Sequence, residues 1–379
     1  MRTGQSFSVV LILIAITFTA SVYGGIQEFN AAMGRGDYAA AAAETHAIWQ
    51  TYDKSKTSAV TIAREFAFVN YLAGDYPTAK AFINNLVQSE NALVAQDDQP
   101  NVSAVLNALI DYKTSATEES RTRLYTSLEK RIDDTGFDSI SLVAAEALYT
   151  DEWGQGKLSN SEESAKLAAE LLDRAGEAAI ARKRKAELTA AISHFLLRRE
   201  KEDYDKLVDL HDAIVGDVDS ILDKNQRELL KSLKWITHAW VNSVQALFTS
   251  YYSQTGSLID RDIKIRPLRH SRFGYFYERS SPLDNRPLCS VELDDGKLRY
   301  PSAEAYRGIV GSVIVKMDFD EKGRGSNPSI LAAIPVDSFS ENVLKAAPTF
   351  RLKPEKGQDL DQCRLNRQDT VIPITFIIR

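Results

Sequence analysis

Cysteine is scarce in this chain, with only Cys289 and Cys363 among 379 residues. That rules out a disulfide-dense scaffold and a thiolate metal cluster. Histidine is scarce as well: His46, His194, His211, His238 and His270. No two of them share the spacing of a metal-binding helix, and no cluster of carboxylates or thiols accompanies them, so no metal site is assigned. There is no G-x-S-x-G elbow, no glycine-rich phosphate loop and no dinucleotide fingerprint, so no catalytic residue and no cofactor is assigned and the chain is read as non-enzymatic. Asp318, Asp320 and Gly323 begin like a calcium loop but lack its distal glutamate, and read as a hairpin turn. Past the N-terminal segment no apolar run is long enough to span a bilayer. No proline stands between Pro100 and Pro267.

The N-terminus carries one clear signal. Arg2 precedes an apolar run from Phe7 to Tyr23, followed by Gly24-Gly25. A short positive region, a greasy core and small residues are the layout of a secretory signal. At about 17 residues the run also approaches the minimum for a membrane span. Residues 1–25 are therefore either a cleaved signal peptide or an uncleaved anchor. Both place the rest of the chain outside the cytoplasm, with membrane contact only through this segment. Export and an even cysteine count favour a Cys289–Cys363 disulfide over two buried thiols.

Residues 26–256 read as an all-α region. Ala, Leu, Glu and Lys are abundant, Val, Ile and Thr sparse. Gly36-Asp37-Tyr38-Ala39-Ala40-Ala41 returns as Gly74-Asp75-Tyr76-Pro77-Thr78-Ala79, offset by 38 positions. Each glycine sits where a helix should stop, and the following Tyr and Ala open the next helix. This resembles the turn of a tetratricopeptide repeat. A weaker echo is Glu202-Asp203-Tyr204. Trp153 to Ser161 reads as a loop with Ser161 capping the next helix, and Asn225 to Ser253 as one long closing helix.

Composition changes after Gly256. Net charge is not uniform: of 46 Lys+Arg and 52 Asp+Glu, the stretch from Arg266 onward holds 18 and 15. Arg261, Lys264, Arg266, Arg269, His270 and Arg272 precede Phe273-Gly274-Tyr275-Phe276-Tyr277. One such stretch in an exported chain reads as a linker with β segments over 257–298, not as a nucleic-acid surface. The tail, 299–379, reads as a small α+β unit. A short helix follows Ser302. Val313, Val315 and Met317 alternate with Ser312, Ile314 and Lys316 as a strand with one apolar face. A second strand returns before Val336, Phe339, Val343, Leu344 and Ala347 recur at helical spacing, and Thr370 to Ile378 closes an antiparallel sheet.

Four pieces of the tail resemble the TonB family C-terminal domain in the right order. They are Tyr300-Pro301 with Ala305; Gly308 and Gly311 before the alternating valines; Phe350, Leu352 and Pro354; and Pro373-Ile374-Thr375-Phe376. The resemblance implies a partner-docking module that captures an outer-membrane receptor or another envelope protein by strand addition. It also implies a link to inner-membrane proton-channel partners. The residues it assigns to docking are Tyr300, Pro301, Val371, Pro373, Thr375 and Ile377. Three departures stand out. A longer, polar insert carrying Cys363 lies between Pro354 and Thr370. The family's Pro-rich linker is replaced by the helical region, and the N-terminal apolar run has no polar residue at mid-depth. The competing reading is a periplasmic tetratricopeptide-like scaffold without energy transduction. Mass spectrometry of non-reduced peptides from the periplasmic protein should find Cys289 linked to Cys363; free thiols at both positions contradict the pairing.

Overall fold

The computed structural model describes residues 23–56, 58–87, 99–133, 138–255, 291–336, 338–354 and 367–378. The N-terminal apolar run, the basic–aromatic stretch and both cysteines lie outside them. The chain divides into two compact units, Met1–Gly176 and Glu177–Arg379. The boundary expected after residue 256 is one of composition; contacts group the last long helices with the tail.

The first unit is a run of helical hairpins: α1 (Tyr23–Gly34) with α2 (Tyr38–Thr51), α3 (Ser58–Ala73) with α4 (Tyr76–Val87), α5 (Pro100–Thr114) with α6 (Glu118–Asp133), and α7 (Ser139–Gly154) with α8 (Leu158–Asp173). The repeated turn has a physical basis. Gly36, Gly74 and Gly156 all take positive φ, 69°, 82° and 71°. In that conformation the next residue's N–H returns to a carbonyl of the preceding helix: Asp37 to Ala32, Asp75 to Asn70, Lys157 to Glu152. Asp37 and Asp75 then cap the following helix through Ala40 N and Thr78 N, each at 3.1 Å. Ala41, Ala79 and Ser161 occupy the same place in the three turns and are fully buried. The loop expected from Trp153 to Ser161 is therefore shorter than its polar composition suggested. It is a third copy of the turn, and Ser161 is a close-packing residue inside α8, not its cap.

In the fourth hairpin, α5–α6, Thr117 replaces the glycine turn, and Arg121 N reaches Thr117 O as Ala41 N reaches Asp37 O. Arg121 then makes a charged contact to the next hairpin. Its Nε lies 2.7 Å from Glu152 Oε1, and Glu152 is almost wholly buried. Around the first two hairpins the core is aromatic, with Phe66 set edge-on between Phe29 and Phe82 at 5.5 and 5.6 Å.

The second unit begins with α9 (Ile180–Arg198), α10 (Lys201–Ser220) and the 32-residue α11 (Lys224–Thr255). The Glu202-Asp203-Tyr204 echo lies in the first turn of α10, where Tyr204 is fully buried; Arg199, at φ 59°, takes the left-handed turn position. The tail adds β1 (Val291–Asp294), α12 (Ser302–Tyr306), β2 (Gly311–Phe319), β3 (Gly325–Ile334), α13 (Ser340–Ala346), β4 (Arg351–Pro354) and β5 (Thr370–Phe376). β1 and β4 form a two-stranded ribbon. The main sheet is antiparallel, in the order β3-β2-β5. Its first face carries Val313, Val315, Met317 and Phe319 against Phe339 and Val343, as the alternation implied. The second face is not bare. Ile314, Ala332 and Val371 pack on Ala239 of α11, with Trp235 beside them.

Burial also sets one titration in the first unit. Desolvation pushes the Glu65 carboxyl up to about 7, against the opposing pull of Arg64. The folded chain then holds this proton more tightly than the unfolded chain, whose carboxyl titrates near 4.5. Raising pH from about 4.5 through about 7 should therefore cost stability, on the order of 1–3 kcal/mol. Urea unfolding across that range should show the loss, and Glu65→Gln should flatten the profile and stabilise the chain at pH 8. An unchanged profile in Glu65→Gln contradicts the assignment.

Candidate docking site on the terminal strand

β2 is central, so β3 and β5 are the two edges of the main sheet. They are not equivalent. β3 contains Pro328, a left-handed Asn327 (φ 49°) and two register shifts against β2. Such irregularities spoil an edge as a template for another strand. β5 keeps an unbroken register with β2 from Gly311↔Phe376 to Met317↔Thr370, and among the described residues no strand pairs on its outer side.

The direction of its polar groups follows from two residues. In an antiparallel pair, residues alternate between pointing their N–H and C=O at the partner strand and pointing them away. Ser312 Oγ, on β2, donates to Ile374 O at 3.0 Å, so Ile374 turns its carbonyl toward β2. Pro373 then points away, the only orientation in which a missing N–H leaves the ladder intact. By the same alternation Val371 and Thr375 present N–H and C=O outward, and Pro373 presents a carbonyl.

Side chains are set by the layers on either face. Ile372, Ile374 and Phe376 turn to the core under α13, where Phe376 stacks on Phe339 with ring centroids 4.2 Å apart. Val371 is buried toward α11, Pro373 is half-buried and Thr375 is exposed. Ile377, just past β5, is half-buried. Tyr300 closes the Phe376 end of the strand. Its ring stands edge-on to Phe339 at 5.7 Å and Phe376 at 5.6 Å, and its hydroxyl donates to Ile309 O. Burial pushes this phenol above its ordinary pKa. Pro301 sits at the N-cap of α12.

Of the six residues assigned from the sequence, Val371, Pro373 and Thr375 lie along β5 and Ile377 just past its end. Tyr300 packs against the Phe376 end of the strand, and Pro301 follows it at the start of α12. Thr375 is exposed, Pro373 and Ile377 are half-buried, and the Val371 side chain packs inward. Gly311 opens β2 because a Cβ there would stand 2.3 Å from Ile334 O and 2.6 Å from the Phe339 ring. Among the described residues no group of His, Cys, Asp and Glu could hold a metal ion.

The contribution of α11 is legible only in three dimensions. Asn242 Nδ2 lies 3.5 Å from Ser312 Oγ, extending the contact that runs on to Ile374, and Ser243 Oγ lies 3.2 Å from Ile334 O on β3. In the sequence these were small polar residues in a helix whose aromatics read as core. The one available signal was that α11 carries apolar residues on two opposite faces, which requires a partner on each.

Residues 296–378 match the family model described as Gram-negative bacterial TonB protein C-terminal. The tail is therefore a TonB-type C-terminal domain, and the region before it is mostly helical. No curated protein and no solved structure matches the chain. Tyr300→Phe removes only the hydroxyl bond to Ile309 and should lower the stability of the tail by about 1 kcal/mol. Denaturant unfolding followed by tail-specific amide signals measures it; no loss contradicts the role given to that hydroxyl.

Proposed function

We propose that this chain is an exported, non-enzymatic envelope protein whose tail docks a peptide segment of an outer-membrane partner by adding it as a strand to β5. The observation that carries this reading is the regular edge of β5, unpaired among the described residues, with the groups of Val371, Pro373 and Thr375 directed outward, beside a β3 edge broken by Pro328 and its bulges. Main-chain pairing supplies affinity and alternate side-chain contacts supply selectivity. The family match supports a role in transport across the cell envelope. Residues 1–25 would serve as signal peptide or inner-membrane anchor, residues 26–256 as a spacing or binding region, and 257–298 as the passage into the docking domain. If the anchor is retained, proton-channel proteins of the inner membrane are the partners that would energise docking.

A second reading has its own support. α11 binds the docking sheet to the helices before it, where the family uses a Pro-rich linker, and the apolar run at the N-terminus has no polar residue at mid-depth. Both features suit a periplasmic scaffold that docks a partner without energy transduction.

Envelope proteins captured by the full chain, but not by a chain lacking 299–379, define the partner. Thr375→Pro then tests the mode of binding. It removes an outward donor while leaving the β2–β5 ladder whole, and should weaken partner binding by about 1 kcal/mol or more, roughly five-fold. Circular dichroism verifies folding of the variant. Unchanged affinity in a folded Thr375→Pro protein contradicts strand addition.

A further inference from the structure

The face of β5 that looks toward α11 is walled by a residue outside the family-matched region. Asn242 and Trp235 are seven residues apart, two helical turns, and so share one stripe of α11. That stripe lies over β2 on the side toward β5: Asn242 reaches Ser312 of β2, whose hydroxyl continues to Ile374 O of β5. The neighbouring stripe of Ser243 is directed at β3, through Ile334 O. Trp235 packs, half-buried, against the cluster of Ala239, Ile314, Ala332 and Val371, and Lys234 Nζ lies 4.7 Å from its ring centroid. It therefore stands toward the Val371 end of β5, on the face that Val371 shares.

A strand laid beside β5 has its side chains in fixed positions. The residue opposite Val371 must project to the same face as Val371, with Cβ atoms about 5 Å apart. On that face it meets α11 rather than water. The residue opposite Thr375 projects to the same face at the other end of β5, where Thr375 is exposed. The geometry points to Trp235 as a specificity-determining residue of the docking site, selecting peptides with an apolar side chain at the position opposite Val371. This rests on strand addition to β5 and adds to it a side-chain subsite built by the helical part of the same unit.

The probe is a library of random linear decapeptides displayed on phage and selected on the full chain, with selected peptides then synthesised. Hydrogen exchange reports whether they protect the Val371 and Thr375 amides. Fluorotryptophan NMR, with the Trp235 resonance assigned through Trp235→Phe, reports contact with the ring. Selected peptides should share one apolar position and shift the Trp235 resonance. Changing that position to Ala should cost at least ten-fold in affinity for the native chain and for Trp235→Phe, and less than three-fold for Trp235→Ala. Protection of Val371 and Thr375 with an unmoved Trp235 resonance overturns the subsite and leaves strand addition standing. That result needs no Ala variant, so it holds even where Trp235→Ala fails to fold. Selected peptides that protect no β5 amide, or a library that yields no binder, count against strand addition and the subsite together.

Discussion

A three-stranded sheet with apolar residues on both faces cannot stand as one half of a two-layer module. Ile314 of β2 is as completely buried as Val313 and Val315, although it points the opposite way. Each such side chain contributes about 1.5–3 kcal/mol only when water is removed from its own face. The layer under Phe339 and Val343 covers one face, and Ala239 of α11 covers the other. Ala239 lets the helix approach closely; Asn242 donates to Ser312, Ser312 donates to Ile374 O, and Ser243 lies between Ala239 O and Ile334 O. A buried polar group without a partner would be costly there, so these bonds fix the helix over the sheet as well as holding it.

The docking edge depends on this arrangement. β5 is only seven residues long and, among the described residues, pairs with a single strand. It holds its register because Ile372, Ile374 and Phe376 are anchored below and Val371 above. A one-residue slip would reverse every one of these side chains. With both faces committed, the outer edge is where the proposed strand would add, and Pro373 suits it, since proline fits only where no donor is required. The helix that stabilises the sheet would then also be the wall beside which the added strand lies.

Much of this was legible in the sequence because it follows from local periodicity. The alternation from Val313 to Met317, the helical spacing of Phe339 and Val343 and the closing strand around Pro373 are period-two and period-four patterns, and each lies where it was read. The Gly-Asp-Tyr turns were legible because a positive-φ residue followed by a capping carboxylate leaves a chemical signature. The third copy escaped notice because lysine and serine replace Asp and Ala around Gly156, keeping the backbone geometry without the signature. The β1–β4 ribbon joins two four-residue segments about 60 positions apart, too short to show a period. The seat of α11 was hidden for a deeper reason. Periodicity shows that a helix has two apolar faces, but not which distant surface each face meets.

The central claim is that α11 is part of the docking domain's fold. The most direct test compares two fragments, residues 177–379 and residues 291–379, the shorter keeping β1, by amide correlation spectra and sedimentation. The longer fragment should give a dispersed spectrum from a monomer. The shorter one, with Ile314, Ala332 and Val371 stripped of their cover, should collapse in dispersion or self-associate. A monomeric 291–379 fragment with native dispersion and the same unfolding midpoint as the longer fragment would contradict the account.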